Sequence, residues 1–198
     1  MSPRAFTEQE KKIIHGKLID AAEAFLSTTG IRKTTVEDLA KEAGISKGAF
    51  YLFYESKELL FMEALEREQT GIHNTLLKSM SQSPSPRDAF VRFAGEMYRE
   101  YAAKPWLVAF GGEDYELLFR RISPERLQQH IELDNEATQR FKDILGDKIT
   151  VSPELMSAVM RMLFMSILHR KEIGEEWADE AFSLMLASLA DRIFKEEA

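Results

Sequence analysis

No stretch of this 198-residue chain alternates apolar and polar residues in the two-residue rhythm of a half-buried strand. Apolar positions recur instead at three- and four-residue intervals, with six prolines and ten glycines spread as punctuation between the long periodic stretches. The pattern predicts an all-α chain of about nine helices. The first opens at Thr7, where Glu10 three positions on completes a capping box, and carries Ile14, Leu18, Ala21, Ala22 and Phe25 on one face until Gly30 stops it. Thr35 and Asp38 open a second, two-turn helix that ends at Gly44; Ser46 caps a third through Tyr54, and Ser56 a fourth that runs towards Met80. Beyond the Ser-Gln-Ser-Pro-Ser-Pro loop at 81–86, helices are predicted near 87–103, 105–119, 124–145, 153–171 and 177–195.

Composition narrows the class. Hydrophobic residues make up 44% and charged residues 30%, as in an ordinary globular protein. The absence of cysteine removes disulfides, thiolate metal sites and cysteine nucleophiles, and suits a reducing compartment. No apolar run approaches the roughly 18 residues of a bilayer span, and the first eight residues lack the apolar core of a signal peptide, so no membrane partner and a cytoplasmic location are expected.

A net charge of −7 ordinarily opposes nucleic-acid binding, but its distribution is lopsided. Residues 1–60 carry nine basic and nine acidic residues, whereas 61–198 carry 17 and 24. The excess acid is all C-terminal. Residues 155–168 contain one charge and 181–190 none, and a helix apolar nearly all round needs cover on more than one side. The expected cover is a second copy: a homodimer through the last two helices as a four-helix bundle, with Leu163 and Leu186 in the interface.

Two short helices joined through Gly44-Ile45-Ser46 make a helix-turn-helix pattern, in which one helix braces another whose first residues enter a DNA major groove. Small residues at Ser46, Gly48 and Ala49 let the backbone approach phosphates, and Lys47, Tyr51 and Lys57 are phosphate donors. The run from Thr34-Thr35-Val36-Glu37-Asp38-Leu39-Ala40 through Gly44-Ile45-Ser46-Lys47-Gly48-Ala49-Phe50-Tyr51 to Ser56-Lys57-Glu58-Leu59-Leu60 closely resembles the DNA-binding domain of the TetR family of transcriptional repressors. The resemblance covers about the first 65 residues. It implies a three-helix DNA-binding domain over 1–55 and a helical regulatory domain over 56–198 that binds a ligand and dimerises. It also implies that Thr35, Tyr51 and Lys57 contact phosphates while Lys47, Gly48 and Ala49 lie at the groove floor. Ser46 and Leu52 complete the expected DNA-binding set, Leu52 and Ala49 packing on thymine methyls. The sequence departs from the family pattern at Leu52, Phe53, Tyr54 and Glu55; Phe53 cannot hydrogen-bond DNA where a histidine is common, and Glu55 brings a carboxylate near the backbone.

Phe50 and Tyr54, at i, i+4 spacing, are expected in the core. The aromatic and glycine-rich stretch from Tyr98 to Phe119 supplies the expected ligand site, Trp106, Phe110 and Tyr115, for a small, largely apolar effector. The four histidines have no metal-ligand spacing and no catalytic motif is present, so neither metal, cofactor nor enzymatic activity is expected. The competing reading is an all-helical enzyme or partner-binding module in which the helix-turn-helix is only structural.

Overall fold

Seven of the helices begin where the sequence offers a side-chain oxygen to the unpaired amides of the first turn. In a computed structural model that describes residues 6–80, 83–104, 107 and 113–194, Thr7 caps α1 (Glu8–Thr28) and exchanges bonds with Glu10, as the sequence predicts. Thr35 and Asp38 do the same for α3 (Val36–Glu42), and Ser46 caps α4 (Lys47–Phe50). Ser56 accepts from the amide of Leu59 at the start of α5 (Lys57–Met80). Ser85, Ser123 and Ser152 cap α6 (Pro86–Ala102), α8 (Pro124–Leu145) and α9 (Pro153–Leu168), each with proline in the first turn, where its missing N–H costs nothing.

Eleven α-helical segments are present among the described residues, with no strand beyond one isolated bridge between Ile149 and Phe194. The two segments beyond the nine predicted are single turns, α2 (Gly30–Lys33) and α10 (Arg170–Ile173). Gly30 does end α1, at a φ of +77°, but the chain turns directly into α2. The helix predicted over 105–119 is described as α7 (Glu113–Arg121); Trp106, Phe110, Gly111 and Gly112 lie outside the described residues. The last helix is α11 (Ala178–Ile193).

The chain divides into two compact units. One comprises Met1–Glu68 with Glu113–Ile122, the other Gln69–Gly112 with Ser123–Ala198, where the sequence reading divides the chain at residue 55/56. The first unit is cored by Leu18, Ala22, Ile31, Leu39, Phe50, Leu60, Phe61 and Leu118, all fully buried. On α1 the buried residues are Ile14, Leu18, Ile19, Ala21, Ala22 and Leu26; Phe25 is only half-buried, so the stripe departs from the predicted one at Ile19, Phe25 and Leu26. In the second unit α6 packs on α9 and α11, and α8 on α9, around a ladder of aromatic contacts that joins Phe90, Phe93, Phe141 and Phe194.

The faces of the last long helices correct one expectation. Leu163 and Leu186 point into their own subunit's core at 3% exposure each, whereas Met162 and Leu184 stand 74% and 71% exposed. A charge-free segment carries no internal marker of which apolar face its own chain covers; here the inner face takes Leu163, Ile167, Leu186 and Ala190.

Candidate DNA-binding surface

The turn between α3 and α4 is set by its backbone bonds. The amide of Ile45 donates to the carbonyl of Ala40 at 2.9 Å and that of Gly44 to Lys41 at 3.1 Å, a Schellman closure with Gly44 at φ +75° in the left-handed region. No atom lies within 4 Å of a Cβ placed at Gly44, so the glycine is required by backbone conformation alone. The closure delivers Ser46 as the next cap, its Oγ accepting the Ala49 amide at 3.1 Å.

Phe50 then anchors α4. Its ring is fully buried, and Tyr54 one turn on is buried beside it, as their spacing predicts. Tyr54 stacks on His15 of α1 and donates to Glu63 of α5 at 2.8 Å; burial and that carboxylate raise its phenol far above the usual range. With these two rings turned inward, their neighbours turn outward: Tyr51 is 51% and Leu52 74% exposed. Lys47 and Gly48 complete the exposed set, Ala49 is half-buried, and Phe53 packs against Phe6.

Gly48 sits in helical backbone, and a Cβ there would meet nothing closer than the Ser46 Oγ at 3.9 Å. Packing within the chain therefore leaves room for a side chain at this position. The polar groups of Thr35, Lys47 and Lys57 have intramolecular partners. Thr35 Oγ1 donates to Asp38 at 2.7 Å and holds that carboxyl below its ordinary range. Lys47 pairs with Glu37 of α3 at 2.5 Å, a contact that lowers the carboxyl and raises the ammonium. Lys57 donates to the carbonyls of Thr34 at 2.6 Å and Ile31 at 2.7 Å, with Arg32 at 3.5 Å, which ties the start of α5 to the end of α2.

Residues that sequence reasoning passed over hold this surface in place. Arg67 grips Glu23 and Asp20 of α1 from α5, and Asp114 of α7 accepts the amide of Ile31. Tyr115, an expected ligand residue, lies in α7 with its ring 4.3 Å from that of Phe119, in the same compact unit as the helix-turn-helix. Among the described residues no acidic and histidine cluster has the arrangement of a metal site, and no helix is long and apolar enough to cross a membrane.

Comparison with known proteins settles the family of this segment. Residues 18–64 match the profile of bacterial regulatory proteins of the tetR family. The segment is a TetR-family helix-turn-helix domain. Curated relatives of this chain include the HTH-type transcriptional regulator YuxN of Bacillus subtilis, 28% identical over 133 residues, which are 63% of this chain and 44% of YuxN. The HTH-type transcriptional regulator AcrR of Shigella flexneri is 30% identical over 78 residues, 39% of this chain and 36% of AcrR. The chain thus spans less than half the length of either relative. Among solved structures, the TetR-family repressor FadR of Thermus thermophilus, in complex with lauroyl-CoA, superposes with a TM-score of 0.67 at 19% identity, over 93% of this chain and 97% of FadR. The fold is therefore that of a TetR-family regulator well beyond the N-terminal domain.

Proposed function

We propose that the chain is a ligand-responsive transcriptional repressor that binds a palindromic DNA operator as a homodimer. The observation that carries this reading is the exposed set Lys47, Gly48, Tyr51 and Leu52, with Ala49 half-buried beside them, held outward because Phe50 and Tyr54 are locked into the core of a TetR-family domain. Thr35, Ser46, Tyr51 and Lys57 position the domain on phosphates, and Lys47, Gly48, Ala49 and Leu52 meet the bases.

Dimerisation through α9 and α11 is supported by their uncovered apolar positions. Ala181, Leu184, Met185 and Ser188 follow the i, i+3, i+4, i+7 spacing of one helix face and all are exposed, as are Leu155 and Met162 on α9. Two-fold symmetry then places two recognition helices against half-sites about 34–36 Å apart, or a multiple of that spacing.

The effector is a small, largely apolar molecule bound near Trp106, Phe110 and Tyr115. An acidic second region has no evident use for DNA, and FadR, with the same fold, is recorded with lauroyl-CoA. A ligand that favours the non-binding state by about 1.4 kcal/mol weakens operator affinity tenfold. Gel shift against DNA upstream of its own and adjacent genes, and against a random duplex pool, tests the whole reading. Salt-sensitive, sequence-dependent binding is the expected result; its absence from every fragment returns the chain to the enzyme or partner-binding alternatives.

A further inference from the structure

The ion pair between Lys47 and Glu37 on the α3–α4 surface has no evident task in folding. Both side chains remain more than half exposed, at 52% and 59%, and a pair so open to water adds little to stability. Glu37 is not the cap of α3, since Thr35 and Asp38 perform that role. On a surface that meets phosphates a carboxylate is unfavourable. Glu37 nevertheless holds its carboxylate on the lysine that opens the recognition helix.

The pairing sets a donor beside an acceptor at one point of the surface. A carboxylate has about four lone-pair sites and an ammonium three protons, so the bond between them leaves each with capacity for a base edge. In the major groove a G·C pair shows the N7 and O6 acceptors of guanine next to the N4 amino donor of cytosine, the complement of ammonium beside carboxylate. An A·T pair shows instead an adenine amino group beside the thymine O4, and a carboxylate facing that oxygen is repelled. We infer that Glu37 and Lys47 read one G·C pair in each half-site as a unit, Lys47 donating to guanine and Glu37 accepting from the cytosine amino group. This rests on the reading that the α3–α4 surface faces the major groove.

The test uses the full chain and a duplex selected from a random pool by the unmodified protein. Every base pair of one half-site is replaced in turn, and affinity is measured at fixed salt for the parent, Glu37→Gln, Glu37→Ala and Lys47→Ala. The parent prefers G·C at one position by about fivefold or more, the low end of discrimination by a good base contact. Glu37→Gln and Glu37→Ala each remove most of that preference, Glu37→Gln gaining relative affinity for A·T there, because its amide N–H can donate to the thymine O4 that repels the carboxylate. Preferences elsewhere persist, and Lys47→Ala combined with Glu37→Gln is no worse at that position than Lys47→Ala alone. Melting temperatures of the variants match the parent, since both side chains are exposed. A Glu37→Gln protein that changes affinity uniformly at all positions, or at none, overturns the inference while leaving DNA binding intact. A parent that selects no duplex from the pool overturns the DNA-binding reading itself, and the inference with it.

Discussion

Asp114 accepts the backbone amide of Ile31 at 3.1 Å across 83 residues of sequence. The bond satisfies an otherwise unpaired donor in the first turn of α2 and joins α7 to the helix-turn-helix unit. Gly30 is constrained by the same neighbour: a Cβ there would stand 2.7 Å from Asp114 Oδ2, and its φ of +77° already disfavours any other residue. Asp114→Ala is therefore expected to lower stability by about 1–2 kcal/mol, and Asp114→Asn by less, since its amide oxygen still accepts. Urea melts followed by circular dichroism read the difference. Gly30→Ala should cost at least as much as Asp114→Ala, and the double variant less than their sum, because removing the carboxylate relieves the clash.

Lys57 makes a prediction that separates two roles. Its ammonium bridges the carbonyls of Ile31 and Thr34, so Lys57→Ala should destabilise the fold by about 1–3 kcal/mol, as expected for losing hydrogen bonds to a charged donor. If the same ammonium also neutralises a phosphate, the slope of log K against log salt becomes shallower by about 0.9 for each lysine removed from a DNA contact. Melts and salt titrations on one preparation measure both. A destabilised variant with an unchanged slope assigns Lys57 to the scaffold alone.

Protonation of His73 should be visible in the pH dependence of stability. Burial of its imidazole, packed on Phe93, lowers its pKa below the ordinary 6.5; Asp134 opposes the shift and Arg140 adds to it. In the window between that lowered value and 6.5 the unfolded chain binds more protons than the folded one, so stability falls as pH drops below about 6.5 and is fully present above it. Thermal melts from pH 7.5 to 5 should therefore show a decline that His73→Gln makes shallower. Parallel curves for the two proteins would contradict this placement.

The exposed apolar positions of α9 and α11, not the buried ones, are where a dimer interface is probed. Leu184→Glu or Met162→Glu, at exposed positions, should leave a folded monomer by sedimentation at micromolar concentration. Leu163→Glu and Leu186→Glu place an unpaired charge in the subunit core and should unfold the chain instead. A Leu184→Glu protein that stays dimeric rejects α11 as the interface.

What was legible in the sequence is what depends on three- and four-residue spacing. The capping oxygens of Thr7, Thr35 and Ser46, the Gly44 turn and the inward Phe50 and Tyr54 all follow from local geometry, and the structure has them where the spacing puts them. Asp114 on Ile31, Lys57 on the α2 carbonyls and Glu37 on Lys47 depend on how separate helices cross, which no local pattern encodes. The inner faces of α9 and α11 were hidden for a different reason: with apolar residues all round, periodicity has no phase to report.

A substitution at Gly48 measures directly whether the α4 surface is pressed against DNA. Within the chain the position is open, so Gly48→Leu should fold and melt as the parent does, or slightly higher, because leucine is the better helix former. If the backbone at this point approaches the duplex, the added side chain holds it away. Salt-sensitive duplex binding is expected of the parent, with a loss of about tenfold or more in Gly48→Leu at an unchanged melting temperature, equivalent to about 1.4 kcal/mol. Equal affinity of the two proteins for the same selected duplex would contradict it.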